Sequence, residues 1–288
     1  MPDQQSKREH WLFYGGGAVI VILGFVFAYQ FVKPAPPDHI RIATGSPGNA
    51  YHLFATRYAK ALAADGITLE ILATGGSIDN LLLLKQKKAD IAFVQAGIAN
   101  PAEYPDLRTL GSLYFEPLWV FVHQDHQTDR LNQLKGLTLS IGSEGSGTRF
   151  ISEQLLAANG INTTNTTLKS LNTTTGLDAL KRGEVDALFV VSGPQSPLVL
   201  DLLTTKNIVP LSFERANAYA RRYDYLSSLV LPEGSIDLAS NIPNRPIELV
   251  APAATLVAST DFHPALTTLV LQAAKKEHSA QTLFAERG

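Results

Sequence analysis

Residues 40–95 read IRIATGSPGNAYHLFATRYAKALAADGITLEILATGGSIDNLLLLKQKKADIAFVQ. Strand-like runs (IRIAT, ITLEILA and DIAFVQ) alternate here with helical patterns over Tyr51–Ala64 and Ser77–Lys87. Successive parallel strands need a crossover between them, so this order predicts a largely parallel sheet with helices on both faces. The fold class is therefore α/β.

A second series of the same order follows further along the chain. It contains the strand-like runs LTLSIG, TTLKSL and DALFVV, with helical patterns over Gly147–Asn159 and Thr175–Arg182 between them. The two series match in the order of their elements, although their sequences are too different to be called a repeat. We therefore expect two lobes of similar construction.

The segments between the two series predict how the lobes are joined. The strand-like Glu116–His123 leads out of the first series, and the apolar Ile247–Ser259 returns after the second. A helix over Phe262–His278 is then expected to pack on the first lobe. Two crossings make a hinge, and a cleft between hinged lobes is a common ligand site. The expected boundaries are 39–123 and 248–288 for lobe I and 124–247 for lobe II.

The N-terminal region carries a strongly apolar segment. Trp11–Val32 has no charged side chain, and about 20 apolar residues are enough for a helix to cross a bilayer. A cleavable signal peptide is the alternative, but VKPAPPD after the segment offers no small-x-small site free of proline. We therefore expect a single-pass signal-anchor in the inner membrane, with the lobes on the periplasmic or extracellular side. The expected divisions are a tail over 1–10, a transmembrane helix over 11–32 and a proline-rich linker over 33–38.

Composition and motifs exclude several functional classes. The 288 residues have a net charge of −2 and no long basic run, which argues against a nucleic-acid binder. The absence of cysteine excludes disulfides, Fe–S clusters and cysteine nucleophiles. P-loop, HExxH and GxSxG patterns are absent too. His123 and His126 are more typical of a solvated surface than of a metal site, and Glu116 shows no partner that would suggest acid–base work. We expect neither a cofactor nor a metal.

Glycine-rich turns occupy strand-to-helix junctions, where an open α/β sheet places its ligands. In turn 1 (Thr44–Tyr51), Gly45 and Gly48 permit unusual backbone geometry and Ser46 can present a hydroxyl, while Tyr51 would face the cleft. A tight loop followed by a core tyrosine would give the same pattern. Turn 1 therefore predicts a ligand contact only in combination with the other turns.

Turn 2 (Thr74–Asn80) and turn 3 (Gly142–Arg149) each precede a helix, where free amides and the helix dipole favour an anion. Ser77 is the expected N-cap of turn 2, and capping alone would explain it. Turn 3 combines glycines with the hydroxyls of Ser146 and Thr148 in a concave donor cluster. Arg149 either binds a carboxylate or phosphate or is a solvated first-turn charge.

The ordered set of motifs resembles the TAXI-type solute receptors of tripartite ATP-independent periplasmic (TRAP) transporters. The resemblance runs from about Ile40 to near the last residue and rests on TGSPGNAY, ATGGSIDNLLLLKQKKADIAFVQ, LRTLGSLYFEPLWVFV, LKGLTLSIGSEGSGTR and GEVDALFVVSGPQSP. It implies a type II periplasmic-binding-protein fold, no catalysis, and delivery of a small organic acid, often amino-acid-like or a dicarboxylate, to a membrane permease. The pocket that it implies would use Ser46, Tyr51, Ser77, Asn80, Gln95, Ser146, Gly147, Thr148 and Ser192.

An anchor departs from this family, whose members are mostly secreted free. A tethered receptor cannot diffuse as a shuttle, so either its TRAP permease lies in the same membrane or it reports the ligand to another partner. An ABC-type phosphate or oxyanion receptor is the main alternative, because GSEGSGTR also resembles the anion turn of that group. An enzyme of the same two-lobed fold, such as a phosphoribosyltransferase, is disfavoured because an exported chain has little access to activated nucleotides.

Overall fold

The computed structural model describes residues 14–27, 35–279 and 284, and it separates into the units Met1–Pro37 and Asp38–Gly288. In the first unit, residues 14–27 are helical and most of their side chains are exposed. Within the described ranges, no helix is both long and apolar enough to cross a membrane. The tail over 1–10 and both ends of the expected anchor, 11–13 and 28–32, lie outside those ranges.

The second unit alternates strands and helices. The first series contains β1 (His39–Ala43), α1 (Ala50–Ala63), β2 (Thr68–Leu72), α2 (Ser77–Lys85) and β3 (Ile91–Gln95), followed by β4 (Leu107–Phe115) and β5 (Leu118–His123). The second contains β6 (Thr138–Ser140), α3 (Gly147–Ala158), β7 (Thr167–Lys169), α4 (Thr173–Lys181) and β8 (Ala187–Val191). Then come α5 (Pro197–Thr204), β9 (Ile208–Pro210), α6 (Ala216–Arg222), β10 (Leu226–Leu231), β11 (Ile247–Ser259) and α7 (Pro264–His278).

The predicted helices and strands of both series are confirmed to within a few residues at their ends. Residues 107–115 and 197–231 had been left without assigned elements, and they form β4, α5, β9, α6 and β10. These elements are short or irregular in pattern; β4, for example, combines Arg108 and Thr109 with Gly111 and Ser112. Their hydrophobic periodicity is therefore too weak to predict a helix or a strand.

The two series form matching parallel sheets. β1 pairs in parallel with β2 and β3, and β6 pairs in parallel with β7 and β8. In each series, an aspartate directly before the third strand accepts a hydrogen bond from a backbone amide of the first strand. Asp90 accepts a 2.7 Å hydrogen bond from the Arg41 amide, and Asp186 accepts one of the same length from the Thr138 amide. The expectation of two lobes of similar construction is confirmed at the level of strand pairing.

β11 runs through both lobes and makes the sheets mixed. Its residues 254–258 pair antiparallel with β3, whereas residues 247–252 pair antiparallel with β10. β4 also pairs antiparallel with β11, and β5 pairs antiparallel with β8. The largely parallel sheet that we predicted is therefore correct only for three strands in each lobe. The remaining pairs described above, which involve β4, β5, β10 and β11, are antiparallel.

β5 belongs to the second sheet. It pairs with β8 over residues 118–122 and with β9 over residues 121–123. The prediction that this segment belongs to lobe I is therefore wrong, because an isolated apolar run does not reveal which sheet it will join. The pairing favours a boundary at the end of β4, near residue 116, and a second one inside β11, near residue 253.

Helix α7 packs on lobe I, as predicted. Its Val270 joins a buried cluster with Ile40 of β1, Tyr58 of α1 and Phe93 of β3. Lobe II has its own buried clusters, which include Trp119 of β5. Burying one large apolar side chain contributes about 1.5–3 kcal/mol, so each lobe has a core that can hold it together during relative motion.

Candidate functional site

Turns 1 and 2 lie side by side at the carboxyl ends of β1 and β2. The Thr74 hydroxyl donates to the Thr44 carbonyl at 2.7 Å, and the Ser46 hydroxyl makes a longer bond of 3.4 Å to the Thr74 carbonyl. Gly48 adopts φ +88°, a conformation that side chains rarely tolerate. Ser46 is exposed, so its hydroxyl can turn towards a ligand.

The polar side chains of turn 2 bind the protein itself. Gly76, not Ser77, is the N-cap of α2, which corrects the sequence prediction. The Ser77 hydroxyl instead accepts a 2.9 Å hydrogen bond from the Gln95 amide. Asn80 is fully buried; its amide donates to the Phe93 carbonyl at 2.7 Å and its oxygen lies 2.6 Å from the Thr74 hydroxyl oxygen. Asn80 therefore shapes the turn rather than presenting a free group to the cleft.

Tyr51 points at the buried carboxyl group of Glu116, for which the local sequence indicates no partner. Its hydroxyl donates to Glu116 at 2.6 Å, and the Tyr114 hydroxyl donates to the other carboxyl oxygen at 3.4 Å. Burial raises the pKa of Glu116 to about 7, while the two hydroxyl donors act in the opposite direction. The local signal was a glutamate between the aromatic pair Tyr114–Phe115 and a strand of buried residues. Its partner Tyr51, which is far away in sequence, gave no signal.

The hydroxyl groups of turn 3 are also engaged. The Ser146 hydroxyl accepts from the Arg149 amide at 3.2 Å and donates to the Ser143 carbonyl at 2.7 Å, so Ser146 is the N-cap of α3. The Thr148 hydroxyl accepts from the Val191 amide at 3.2 Å. The Arg149 guanidinium donates to Glu153 at 2.8 Å and also contacts Ser170. These contacts fix the shape of the turn.

Turn 3 nevertheless retains free backbone donors. Gly147 and Thr148 are the first two residues of α3, and no described residue accepts a hydrogen bond from either of their backbone amides. Orphan amides at a helix start, together with the helix dipole, favour an anion. Gly142, with φ +97°, lies so close to Thr148 and Arg149 that an added Cβ would come within 2.9 Å of the Arg149 amide nitrogen. Glycine is therefore required where this turn folds back over the helix start.

Lobe I and lobe II meet at turns 2 and 3. The Ile78 amide donates to the Gly145 carbonyl at 3.3 Å, and the Gln95 side chain donates to the Gly147 carbonyl at 3.2 Å. An added Cβ on Gly147 would lie 2.4 Å from Gln95 Oε1. The lobes are therefore in direct contact across the cleft, and glycine at position 147 allows it.

A second contact joins the lobes beyond β3. Gly97 faces the ring of Tyr225, and a Cβ on that glycine would come within 2.5 Å of the ring. The Tyr225 hydroxyl in turn contacts the Gln154 side chain of α3. This contact connects the loop after β3 to the same helix whose first amides are free.

The structure brings most of the predicted site residues to this junction, and it gives them different roles. Gln95 and Gly147 touch across the cleft, and Ser77 and Tyr51 lie behind them. Ser192 follows β8 on the lobe II side, where its carbonyl accepts from Trp119 Nε1 at 2.9 Å. The interlobe contact thus unites residues from both series of the sequence.

Comparison with known proteins identifies the family. Residues 42–273 match the model of the NMT1-like family. The chain belongs to the NMT1-like family. The matched range includes turns 1, 2 and 3 as well as both crossings between the lobes.

Solved structures similar to this NMT1-like chain show the same two-lobed fold. The periplasmic aliphatic sulphonate binding protein SsuA from Escherichia coli has a TM-score of 0.55 and 14% identity, covering 84% of this chain and 73% of that one. The amino acid ABC transporter substrate-binding protein AbpA from Streptococcus pneumoniae, bound to L-arginine, has a TM-score of 0.52 and 17% identity, covering 83% and 88%. The effector binding domain of QuiR, in complex with shikimate, has a TM-score of 0.54 and 14% identity, covering 85% and 98%.

These similarities define the fold of the NMT1-like chain as a periplasmic-binding-protein-like α/β fold with two lobes. The structural neighbours of the family are substrate-binding proteins and not enzymes. At this level of identity the likeness concerns the fold alone, and the ligand of this chain has to be argued from its own site.

Proposed function

We propose that the protein is an extracytoplasmic receptor that captures a small anionic organic solute in the cleft between its lobes. The supporting observation is the pair of free amides at Gly147 and Thr148, the first two residues of α3, which lie at the contact between turns 2 and 3. An anion there would accept hydrogen bonds from both amides in a site that closure shields from water.

The proposed ligand contacts are mainly backbone atoms. Turn 3 supplies the amides of Gly147 and Thr148, while Ser46 of turn 1 and Ser192 after β8 supply hydroxyls. Other predicted site residues position these groups: Gly45, Gly48, Ser77, Asn80, Ser146 and Arg149. Tyr51 and Gln95 line the junction between them. We separate ligand contacts from positioning residues by their hydrogen bonds, because a polar side-chain atom that is already bonded within the protein is not free to bind the ligand.

We further propose that the receptor serves a TRAP-type transporter and is anchored by residues 11–32. The support is the ordered series of TAXI-type motifs and the uncharged apolar run of Trp11–Val32. An anchored receptor would hold its binding lobes near a permease in the same membrane. Residues 33–38 would then be the linker that keeps the lobes off the lipid surface.

An ABC-type oxyanion receptor is the second candidate. The observation in its favour is that the fold is shared with an aliphatic sulphonate binding protein. Backbone amides at a helix start bind carboxylate, phosphate and sulfonate alike, so the two candidates differ in the solute and in the transporter. A sensory protein of the same fold would bind an effector in the same cleft.

A ligand panel tests these proposals. Thermal unfolding of the full-length chain is measured with organic acids, amino acids, alkanesulfonates, sulfate and phosphate. A ligand that binds only the folded state stabilises it by about 2.7 kcal/mol at a concentration one hundred times Kd, so the midpoint rises with concentration. Organic acids or amino acids are expected to raise it, and a response to sulfate or phosphate alone would favour the second candidate. If no anion of the panel shifts the midpoint, the receptor proposal fails.

A further inference from the structure

Asp79 lies between turn 2 and turn 3. It is the third residue of α2, and its Oδ2 accepts a 2.9 Å hydrogen bond from the Gly75 amide. No described residue donates a hydrogen bond to its other carboxyl oxygen, Oδ1. A Cβ added to Gly145 would lie 3.2 Å from that oxygen. The carboxyl group of this lobe I residue therefore faces the backbone of turn 3 in lobe II.

Turn 2 also lies against the free amides at the start of α3. A Cβ added to Gly76 would lie 3.4 Å from Ser146 Cα and 3.9 Å from the Gly147 nitrogen. Along turn 3, the Gly147 nitrogen is at most about 6 Å from the Gly145 Cα, because consecutive Cα atoms are about 3.8 Å apart. Together with the approach of Asp79 to Gly145, this puts Oδ1 within about 11 Å of the Gly147 nitrogen. The charge of Asp79 therefore acts on any anion that binds these amides.

The three turns contain no free cation that would offset Asp79. Their only lysine or arginine is Arg149. Its guanidinium donates to Glu153 at 2.8 Å and lies 3.9 Å from Glu144, so two carboxylates already share it. The amides at a helix start supply only about half a positive elementary charge. The contact between turns 2 and 3 therefore has an excess of negative charge beside the donors that bind an anion.

We infer that Asp79 makes the site selective against a second negative charge on the ligand. This inference rests on the proposed receptor function and specifies the charge that its site accepts. One anionic charge is compensated by hydrogen bonds from the Gly147 and Thr148 amides. A second one finds no free cation in the three turns and is repelled by Asp79. Asp79 determines specificity through its charge, without a bond to the ligand.

The size of the effect follows from the distance. Two unit charges about 11 Å apart, at an effective dielectric constant of about 20, change a binding constant by about tenfold. Asp79 is partly exposed, so dissolved salt screens its charge. The Debye length is about 30 Å at 0.01 M ionic strength and about 8 Å at 0.15 M. We therefore expect the selectivity to be strongest at low salt.

Calorimetric titration of the full-length chain near neutral pH tests the inference. The probes are pairs of similar shape that differ by one negative charge: sulfate beside methanesulfonate, succinate beside succinamate, and L-glutamate beside L-glutamine. The wild-type chain is expected to bind the less charged member of a pair more tightly at about 0.01 M ionic strength, with a smaller preference at about 0.15 M.

Asp79→Asn removes the charge and keeps an oxygen for the Gly75 amide. It should raise the affinity for the more charged member about tenfold relative to its partner at low salt. Asp65→Asn is the matched control, because Asp65 is an exposed aspartate of the same lobe that follows the opposite end of α1 from turn 1. The control should leave the preference of the wild-type chain unchanged.

The outcomes separate this inference from the receptor proposal. If the more charged probes bind as tightly as their partners, or if Asp79→Asn leaves the preference unchanged, Asp79 has no role in specificity and the receptor proposal stands. If none of the probes binds, the inference fails, and the wider panel decides the receptor proposal. Should Asp79→Asn not fold, the wild-type chain decides, since a preference that is the same at both salt concentrations contradicts an effect of charge.

Discussion

The Ser146 hydroxyl has two partners inside turn 3, the Ser143 carbonyl and the Arg149 amide. Its hydrogen atom is already committed to Ser143, so it cannot donate to an anion without losing that bond. The glycine-rich pattern of turn 3 predicts that this hydroxyl binds the ligand. Its contacts favour a capping role, with the ligand held instead by the neighbouring amides.

We therefore expect Ser146→Ala to lower the free energy of unfolding by about 1 kcal/mol, the usual loss for an N-cap. Affinity should change by less than about threefold, because the amides of Gly147 and Thr148 remain. Chemical denaturation and ligand titration on the same variant measure both quantities. Unchanged stability together with affinity weakened more than tenfold would restore the hydroxyl as a ligand donor.

Single residues also show where local patterns mislead. Asn80 and Thr148 looked like pocket side chains because polar residues at glycine-rich turns are typical of binding sites. Their polar atoms are bonded to Phe93 and Val191, which belong to strands that the turn meets only after folding. Which polar side chain is left free therefore depends on partners that the local sequence does not identify.

At the scale of elements, α7 ends inside an aromatic cluster of lobe I. His278, its last residue, lies between Phe54 and Tyr114, and its Nε2 is 2.8 Å from the Tyr58 hydroxyl. Burial lowers the pKa of His278 to about 4, because the charged ring would lose its hydration there. The helix is thus attached to lobe I through a histidine that must remain neutral.

This attachment predicts a loss of stability in acid. The unfolded chain binds a proton at His278 below its ordinary pKa of 6.5, whereas the folded chain does so only near 4. Protonation therefore favours unfolding, and this contribution is complete above pH 6.5 and lost as the pH falls to 4. Because His278 is partly exposed, we expect on the order of 1–2 kcal/mol.

The measurement compares the wild-type chain with His278→Gln, which keeps a polar atom for Tyr58. Glu116 acts in the opposite direction, since its raised pKa favours the folded state below pH 4.5 and this advantage is lost as the pH rises through about 7. Glu116 is present in both chains, so the difference between them isolates His278. If the difference in free energy of unfolding is the same at pH 4 and pH 7, the histidine does not have the assigned role.

At the scale of the whole molecule, the lobes touch where the proposed ligand binds. The contacts of Ile78 with Gly145, Gln95 with Gly147 and Gly97 with Tyr225 all cross the cleft. Two sheets that share β11 and are joined again near Glu116 can move as rigid bodies, because each has its own core. Opening would break these contacts and expose the amides of α3.

Gly147→Ala should disfavour the closed arrangement, because its Cβ would lie 2.4 Å from Gln95 Oε1. We expect a larger radius of gyration in small-angle scattering and binding that is weaker by about tenfold or more. Gly111→Ala is the matched control, since the Cβ there would meet only Leu271 at 3.8 Å. A Gly147→Ala chain with wild-type affinity and radius would show that closure does not depend on this contact.

Removal of residues 1–37 should leave a folded two-lobed protein. The residues of the buried clusters run from Ile40 to Ala274, so the cores do not depend on the removed segment. If residues 11–32 are an anchor, the full chain should sediment with membranes and the shortened chain should stay in solution. Sedimentation of the shortened chain with membranes, or loss of its cooperative unfolding, would contradict this division of the chain.

The sequence by itself determined the order of strands and helices in both series and the positions of turns 1, 2 and 3. These features depend on local periodicity and on glycine, which act over a few residues. The sequence also supplied the free amides of α3, since every helix start leaves amides without partners.

Only the tertiary structure decided which groups became the site. It placed β5 in the second sheet and passed β11 through both lobes. It also brought Tyr51 to Glu116, 65 positions away, and Gln95 to Gly147, 52 positions away. The physical reason is that burial and hydrogen bonding depend on distances in space. Those distances gave Glu116 two tyrosine hydroxyls as partners for its buried carboxyl group, and they made Asn80 a bonded support of turn 2.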